Sequence, residues 1–338
     1  MKSLICKIFI IGSLMLISCT NKDEDALIKY SSFDEVISLT ARKIEVPSVL
    51  LYPRGIYLSD DYLVVLNEKM DTLFQVFELP EMKYRGQFGI KGGGPNDFML
   101  PLIQPVAYDD NEFVLSDGNK LKKVSFDANG FHVGTTTLPF GFPYYNGLQR
   151  LKDSLYCCFA GFEDEQSLML LTPDGGSEKI GNYPEEVSPR FKNTLARNQA
   201  YAGFLISNPK GTRMAMFYQY LRRWRIFDAN GDMLSDSCME MHPGHSLPKV
   251  KDEERYIHPI AVYATDNFIY TLNLDMTAME IGNQAGNPNI QVFSWDGKPL
   301  KQYKLDCFIS SFLVNEKTGE IFGVFVEDMN HIYQFKLE

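Results

Sequence analysis

No window of this 338-residue chain stays apolar for the roughly 20 residues that a membrane-crossing helix needs. No long segment carries helical periodicity either, which removes helical bundles from the fold classes to consider. A cationic surplus is missing, since 33 Lys and Arg face 43 Asp and Glu. That balance excludes nucleic acid and wide anionic lipid surfaces as partners. Cysteine is scarce. Cys157, Cys158, Cys238 and Cys307 show no zinc-like spacing. Buried free thiols are their default reading, with one disulfide left open if the protein is exported. There is no H-E-x-x-H helix, no G-x-S-x-G elbow beyond residue 18 and no sialidase-type Asp box. The sequence therefore nominates no catalytic residue, no metal ligand and no cofactor.

The N-terminus does hold a short apolar run, Ile8 to Ile17, behind Lys2 and Lys7. It ends in Leu16-Ile17-Ser18-Cys19, the lipobox pattern in which the cysteine is acylated. Residues 1–18 read as a lipoprotein signal peptide and Cys19 as the lipid attachment site. Residues 19–30, which include Lys22-Asp23-Glu24-Asp25, read as an acidic linker. Several acyl chains on one Cys give stable anchoring. A Lys followed by acids after the lipid Cys resembles the tag of surface-exposed outer-membrane lipoproteins, with the periplasmic face as the alternative. Without Lys2 and Lys7 the basic residues fall from 33 to 31 against 43 acids, a net charge of −12.

Residues 31–338 alternate short apolar runs with turn chemistry. One turn recurs at Ser59-Asp60-Asp61, Asp109-Asp110-Asn111, Lys152-Asp153-Ser154, Asn208-Pro209-Lys210-Gly211, Thr265-Asp266-Asn267 and Glu316-Lys317-Thr318-Gly319. An apolar strand follows each. A second turn comes about 20 residues later in most units, as in Asp127-Ala128-Asn129-Gly130 and Asp228-Ala229-Asn230-Gly231. Two hairpins per unit, repeated six times, give an all-β, six-bladed propeller of four-stranded antiparallel blades. The last unit is one strand short, and the segment 33–44 ahead of the first unit is placed to supply it. Sharing a blade in this way closes the ring and removes an open edge. The stretch 278–289, AMEIGNQAGNPN, interrupts the fifth unit as a surface loop.

The stretch 89–101, GIKGGGPNDFMLP, has the glycine spacing of a phosphate loop but lacks its Lys and hydroxyl residue. It lies between the last strand of one unit and the first of the next. It is therefore read as an inter-blade corner built on Gly94, Pro95, Asp97 and Phe98. GQFGIKGGGPNDFMLP followed by VAYDDNEFVLSD resembles the glycine-proline-acid-Phe corner of NHL-type propellers. VFSWDGKPLKQYKLD at 292–306 resembles a fifth-blade ending of the TolB-like six-bladed propeller lipoproteins. The resemblance covers roughly residues 30–338. It implies a fold and an envelope location, and it brings no catalytic residues.

Other constellations are weaker. His242-Pro243-Gly244-His245 near Cys238 reads as an exposed loop, because Pro and Gly separate the two rings. The acids at Asp60-Asp61 and Asp109-Asp110 occupy hairpin turns, and Glu253-Glu254 is a third such pair. In a propeller the starts of the innermost strands border one channel mouth. Counting back from the turns places Arg54, Gln104, Tyr145, Tyr201 and His258 there, a set that suits a sugar or peptide. The expected function is a lipid-anchored, non-enzymatic envelope module that binds a protein, peptide or glycan. The alternative is an envelope enzyme acting on glycans or lactone-like substrates at that mouth.

Overall fold

The structure is a computed structural model that describes residues 27–337 except 48, 110, 128, 139–146, 162–163, 185–199 and 241–253. Six four-stranded antiparallel sheets follow one another as blades of a ring. Blade I spans Pro53–Ser59 to Lys83–Ile90, and blade II Ala107–Tyr108 to Gly130–Thr137. Blade III runs from Gln149–Arg150 to Ser177–Asn182, and blade IV from Gly203–Ser207 to Met233–Met239. Blade V runs from Tyr256–Ala264 to Pro299–Leu305, and blade VI from Ser311–Asn315 to His331–Lys336.

The burial of each strand follows from its place in the blade. Second strands, such as Tyr62–Asn67, are covered on both faces by neighbouring blades, so they are apolar without alternation. Outer strands face solvent, and Gly130–Thr137 is exposed almost throughout. The turns obey local chemistry. At the outer hairpin of blade IV, Asp228 Oδ1 accepts from the Asn230 and Asp232 N–H groups at 2.8 and 3.0 Å. Gly231 then takes a φ of +89°, which a side chain would resist.

The first hairpin of every blade and the third hairpins of blades I to V lie on one side of the disc, here the hairpin face. The second hairpins and the inter-blade connections lie on the other, the loop face. The segment 278–289 sits on the loop face and opens with a helix, α1 (Ala278–Gly282). The Thr277 hydroxyl accepts from the Glu280 N–H, and the Glu280 carboxylate caps the Thr277 N–H in return.

Ring closure uses an N-terminal strand, within a longer belt. β1 (Ile28–Tyr30) adds parallel to the outer strand of blade IV, Ile28 beside Ser237. β2 (Glu35–Leu39) adds parallel to the outer strand of blade V. β3 (Arg42–Glu45) pairs antiparallel with His331–Lys336 and is the missing fourth strand of blade VI. Ile28–Tyr30 thus joins a sheet, although the sequence reading left it in the linker. Phe33 is buried between β1 and β2 and meets Phe293 edge-on at 5.7 Å.

The glycine-rich stretch is an inter-blade corner, held by two residues that no turn pattern marks. The Asp97 carboxylate accepts from the Gly94 N–H at 2.8 Å, and a Cβ on Gly94 would press within 2.7 Å of the same oxygen. Asp117 accepts from the Met99 and Leu100 N–H groups. The buried Lys122 ammonium donates to the Pro95 carbonyl at 2.8 Å and the Thr135 hydroxyl at 3.0 Å. Phe98 is fully buried between the Phe74 ring and that ammonium.

All four cysteines in the described residues are free thiols. Cys157 and Cys158 are adjacent on one strand and point into different cores, one against blade IV and one against blade II. Burial pushes both thiols up, Cys158 to about 12, which keeps them protonated and unreactive.

Candidate functional site: the central channel

Six inner strands surround the ring axis, but they do not contribute equally. The inner strands of blades II and III are each only two residues long, Ala107–Tyr108 and Gln149–Arg150. Blade II nevertheless reaches across the axis. The Gln104 amide donates to the Leu205 carbonyl of blade IV. Tyr108 of blade II crosses to blade V, where its hydroxyl donates to the Ala264 carbonyl and accepts from the Ala264 N–H. Its ring stacks on Tyr263 with centroids 5.4 Å apart.

What is left is an open cavity of about 1110 Å³, bordered by blades I, II, IV, V and VI. No described residue of blade III lines it. Its waist is apolar, with Ile56, Tyr57, Phe204, Ile260, Val262 and Phe312 on its walls. Its two ends are polar.

On the loop face the rim carries Tyr52, Arg54, Gln104 and Ser310. Arg54 pairs with Glu68 at 2.6 Å, but both groups are well exposed, so the pair contributes at most about 1 kcal/mol. On the hairpin face the rim carries Asp109, Asn111, Asp266, Asn267, Asn315 and Glu316. These acids are already engaged, Asp109 within its own turn and Glu316 and Asp266 with residues of a neighbouring blade. Glu316 accepts from the Thr265 hydroxyl at 2.6 Å, the Asn267 amide at 2.9 Å and the Tyr270 hydroxyl at 2.9 Å. Asp109 accepts from the Asn111 and Glu112 N–H groups. Asp266 pairs with Lys210 at 3.2 Å. Carboxylates bound in this way shape a rim and are poorly placed to transfer protons.

A family model described as TolB-like 6-blade propeller-like matches residues 32–317. The chain belongs to that family. Among solved structures, a Bacteroides fragilis protein described as exported matches with a TM-score of 0.56 at 11% identity. The match covers 92% of this chain and 99% of that one. A DUF4221-family protein of Bacteroides vulgatus matches with a TM-score of 0.54 at 14% identity, over 88% and 96%. At such identities the likeness is one of fold. No curated protein matches the chain.

In this TolB-like propeller the residues nominated from sequence separate into two groups. Arg54 and Gln104 line the channel. Tyr201 and His258 are buried beside it. Tyr201 packs on Tyr183 and Tyr218, and its hydroxyl donates to the Pro184 carbonyl at 2.9 Å. Tyr145, His242, His245 and Cys19 lie outside the described residues. Counting back from the turns assumes inner strands of equal length and regular register. Blade V breaks that assumption with a nine-residue strand whose register shifts on both sides of Pro259. The cross-ring pair Tyr108 and Tyr263 was missed, because no local pattern reports a contact between opposite blades.

His258 belongs to a buried polar network between blades IV and V. Its Nδ1 lies 2.8 Å from Asp275 Oδ1, and Arg222 Nε is 3.7 Å from the same oxygen. The Gln291 and Asn289 amides donate to Asp275 Oδ2 at 2.8 and 3.2 Å. Burial alone pushes the Asp275 carboxyl up. The His258 hydrogen bond, the Arg222 charge and the Asn289 amide overcome it and hold the carboxyl below its ordinary range. A carboxyl with a depressed folded pKa adds stability above its unfolded pKa, near 3.9, and loses it as pH falls through the folded value. Urea midpoints measured from about pH 7 down to pH 3 will drop on the acid side. Asp275→Asn will make that drop shallower, and an unchanged acid limb would count against the assignment.

Proposed function

We propose that this protein is a lipid-anchored cell-envelope propeller whose central channel binds a partner segment, either a peptide, a loop of a protein or a glycan, without transforming it. The observation that carries this reading is the channel itself, with its aromatic and aliphatic waist between two hydrogen-bonding rims. Cavities of this size and lining suit ligands with an apolar body and polar ends. The lining has, among the described residues, no His or Cys to act as base or nucleophile. Membership of the TolB-like family and the fold shared with a protein described as exported support an envelope location. The lipobox ending at Cys19 supports anchoring to the outer membrane, with display at the cell surface.

Cross-linking pull-down from intact cells tests the reading. Ala261 lines the channel on blade V. Ala261→Trp will fill the waist and reduce partner recovery at least tenfold, while Ala261→Ser will leave it near wild type. Cys19→Ala will abolish membrane retention. Equal recovery with Ala261→Trp and wild type would move binding away from the channel. Release of sugars from a glycan panel by the purified protein would replace the binding reading with an enzymatic one.

A further inference from the structure

An exposed sheet edge offers unpaired N–H and C=O groups to any strand that meets it, and native proteins cover, charge or bend such edges. Five blades of this ring do so. Blades IV and V are covered by β1 and β2, which are short and carry Lys29 and Glu35. Blade VI ends in β3, four residues long, with Arg42, Lys43 and Glu45 exposed. The outer strand of blade I carries Lys83 and Arg85 and bulges before Gly86, whose φ is +131°. That of blade III carries Glu178 and Lys179, and its Gly181 leaves the extended range with a φ of +70°.

The outer strand of blade II, Gly130–Thr137, has none of these devices. Its sequence, GFHVGTTT, includes no Asp, Glu, Lys, Arg or Pro. It pairs with Lys120–Asp127 along its whole length without a register shift. Among the described residues no strand covers its other side. Its one titratable group is held in place, since the His132 ring lies 3.1 Å from Asp127. The strand is also fixed well enough to act as a template. The Phe131 ring stacks on Phe88 of blade I with centroids 4.7 Å apart, and the Thr135 hydroxyl donates to the Pro95 carbonyl at 2.9 Å.

An edge of this kind accepts an uncharged strand rich in β-branched and aromatic residues, and the strand itself meets that description. A charged edge would repel its own copy, and this one does not. Opposed side chains in a ladder share a face, so a two-fold axis between two copies passes through one residue of each. Gly130 leaves the extended range with a φ of +120°. The longest symmetric overlap is then 131–137, with Gly134 on the axis. Phe131 faces Thr137 of the second copy, His132 faces Thr136 and Val133 faces Thr135. We infer that this chain forms a two-fold homodimer in which the outer strands of blade II pair antiparallel. Two four-stranded blades become one eight-stranded sheet. An edge of this length is a small interface, so the dimer is reversible. It leaves the channel of each copy open, because outer strands lie on the rim of the ring.

Cysteine cross-linking of the purified full chain tests the pairing. Residues directly opposite in an antiparallel ladder have Cα atoms about 4.5–5.5 Å apart, within disulfide reach. The strand tolerates Gly134→Cys, since a Cβ there meets only the Lys123 Cβ at 3.8 Å. On mild oxidation this variant will give a band of twice the mass, which reduction removes. Thr136→Cys places its thiol about 13 Å from its own copy and will give no such band, nor will the wild-type chain. In sedimentation the wild-type chain will show a concentration-dependent dimer. Gly134→Glu sets two carboxylates opposite each other and will weaken that dimer about fivefold or more, while Gly134→Ser leaves it near wild type. Equal cross-linking at 134 and 136 overturns the inference. A dimer indifferent to Gly134→Glu, or a wild-type chain that stays monomeric at every concentration, also overturns it. So does capture of a different protein by Gly134→Cys in place of a second copy, which would give the edge to another strand.

Discussion

Phe98→Ala will lower the unfolding free energy by about 3–5 kcal/mol, read from urea melts at neutral pH. The ring is fully buried where blade I hands over to blade II. It packs edge-on to Phe74 at 4.9 Å, and the Lys122 ammonium lies 5.6 Å from its centroid. Truncation leaves a cavity that rigid neighbours will not fill. Phe74 is fixed by Phe88, and Lys122 is fixed by Pro95 and Thr135. It also removes the ring from beside a buried cation. Phe98→Leu keeps most of the volume and will cost clearly less. A loss below about 1.5 kcal/mol for the alanine variant would mean that the corner collapses onto the gap.

Asp236→Ala is expected to be comparably severe, about 3–5 kcal/mol. Asp236 lies on the outer strand of blade IV with almost no exposure. Arg223 donates to both of its oxygens, at 2.7 and 2.5 Å, and Arg225 Nε donates at 2.8 Å. The two-residue period puts both arginines on one face of their strand, and the pairing register sets Arg225 directly opposite Asp236. Arg225 also donates to the Asn182 carbonyl of blade III, so the cluster ties two blades together. Alanine at 236 strands two buried guanidinium groups without a counter-charge. Replacing Arg225 by Met and Asp236 by Leu together will recover part of the loss, since an apolar pair carries no desolvation cost. Wild-type stability for Asp236→Ala would show that solvent reaches both arginines.

The blades were legible because their turns are local. Asp228-Ala229-Asn230-Gly231 encodes a hairpin within four residues, and the first turn of each unit, from Ser59-Asp60-Asp61 to Glu316-Lys317-Thr318-Gly319, returns about every 43 to 57 residues and marks the ring. The corner was legible as well, since Gly94, Pro95, Asp97 and Phe98 act within one short span. The residues that pin it were not. Lys122 reads as a solvated strand lysine until the fold places Pro95 above it. β1 escaped notice because it is short and pairs in parallel. The segment 33–44 was read as one closing strand, but it divides into β2, which pairs parallel on blade V, and β3, which completes blade VI. At the channel, Arg54 and Gln104 lie on the lining. His258 lies off the lining where the inner strand of blade V is irregular, whereas the inner strand that follows Tyr201 pairs in regular register. The withdrawal of blade III left no trace in Leu151-Lys152-Asp153-Ser154, whose turn chemistry matches that of its neighbours.

The belt also sets an order of assembly. β3 finds its partner near the opposite end of the chain, with Arg42 beside Gln334. Contacts of such sequence separation form slowly, because a long loop must close before they are rewarded. β1 and β2 likewise have nothing to pair with until blades IV and V exist. The N-terminal segment is therefore the last to be locked. Until it is in place, the ring stays an open arc with three unpaired edges.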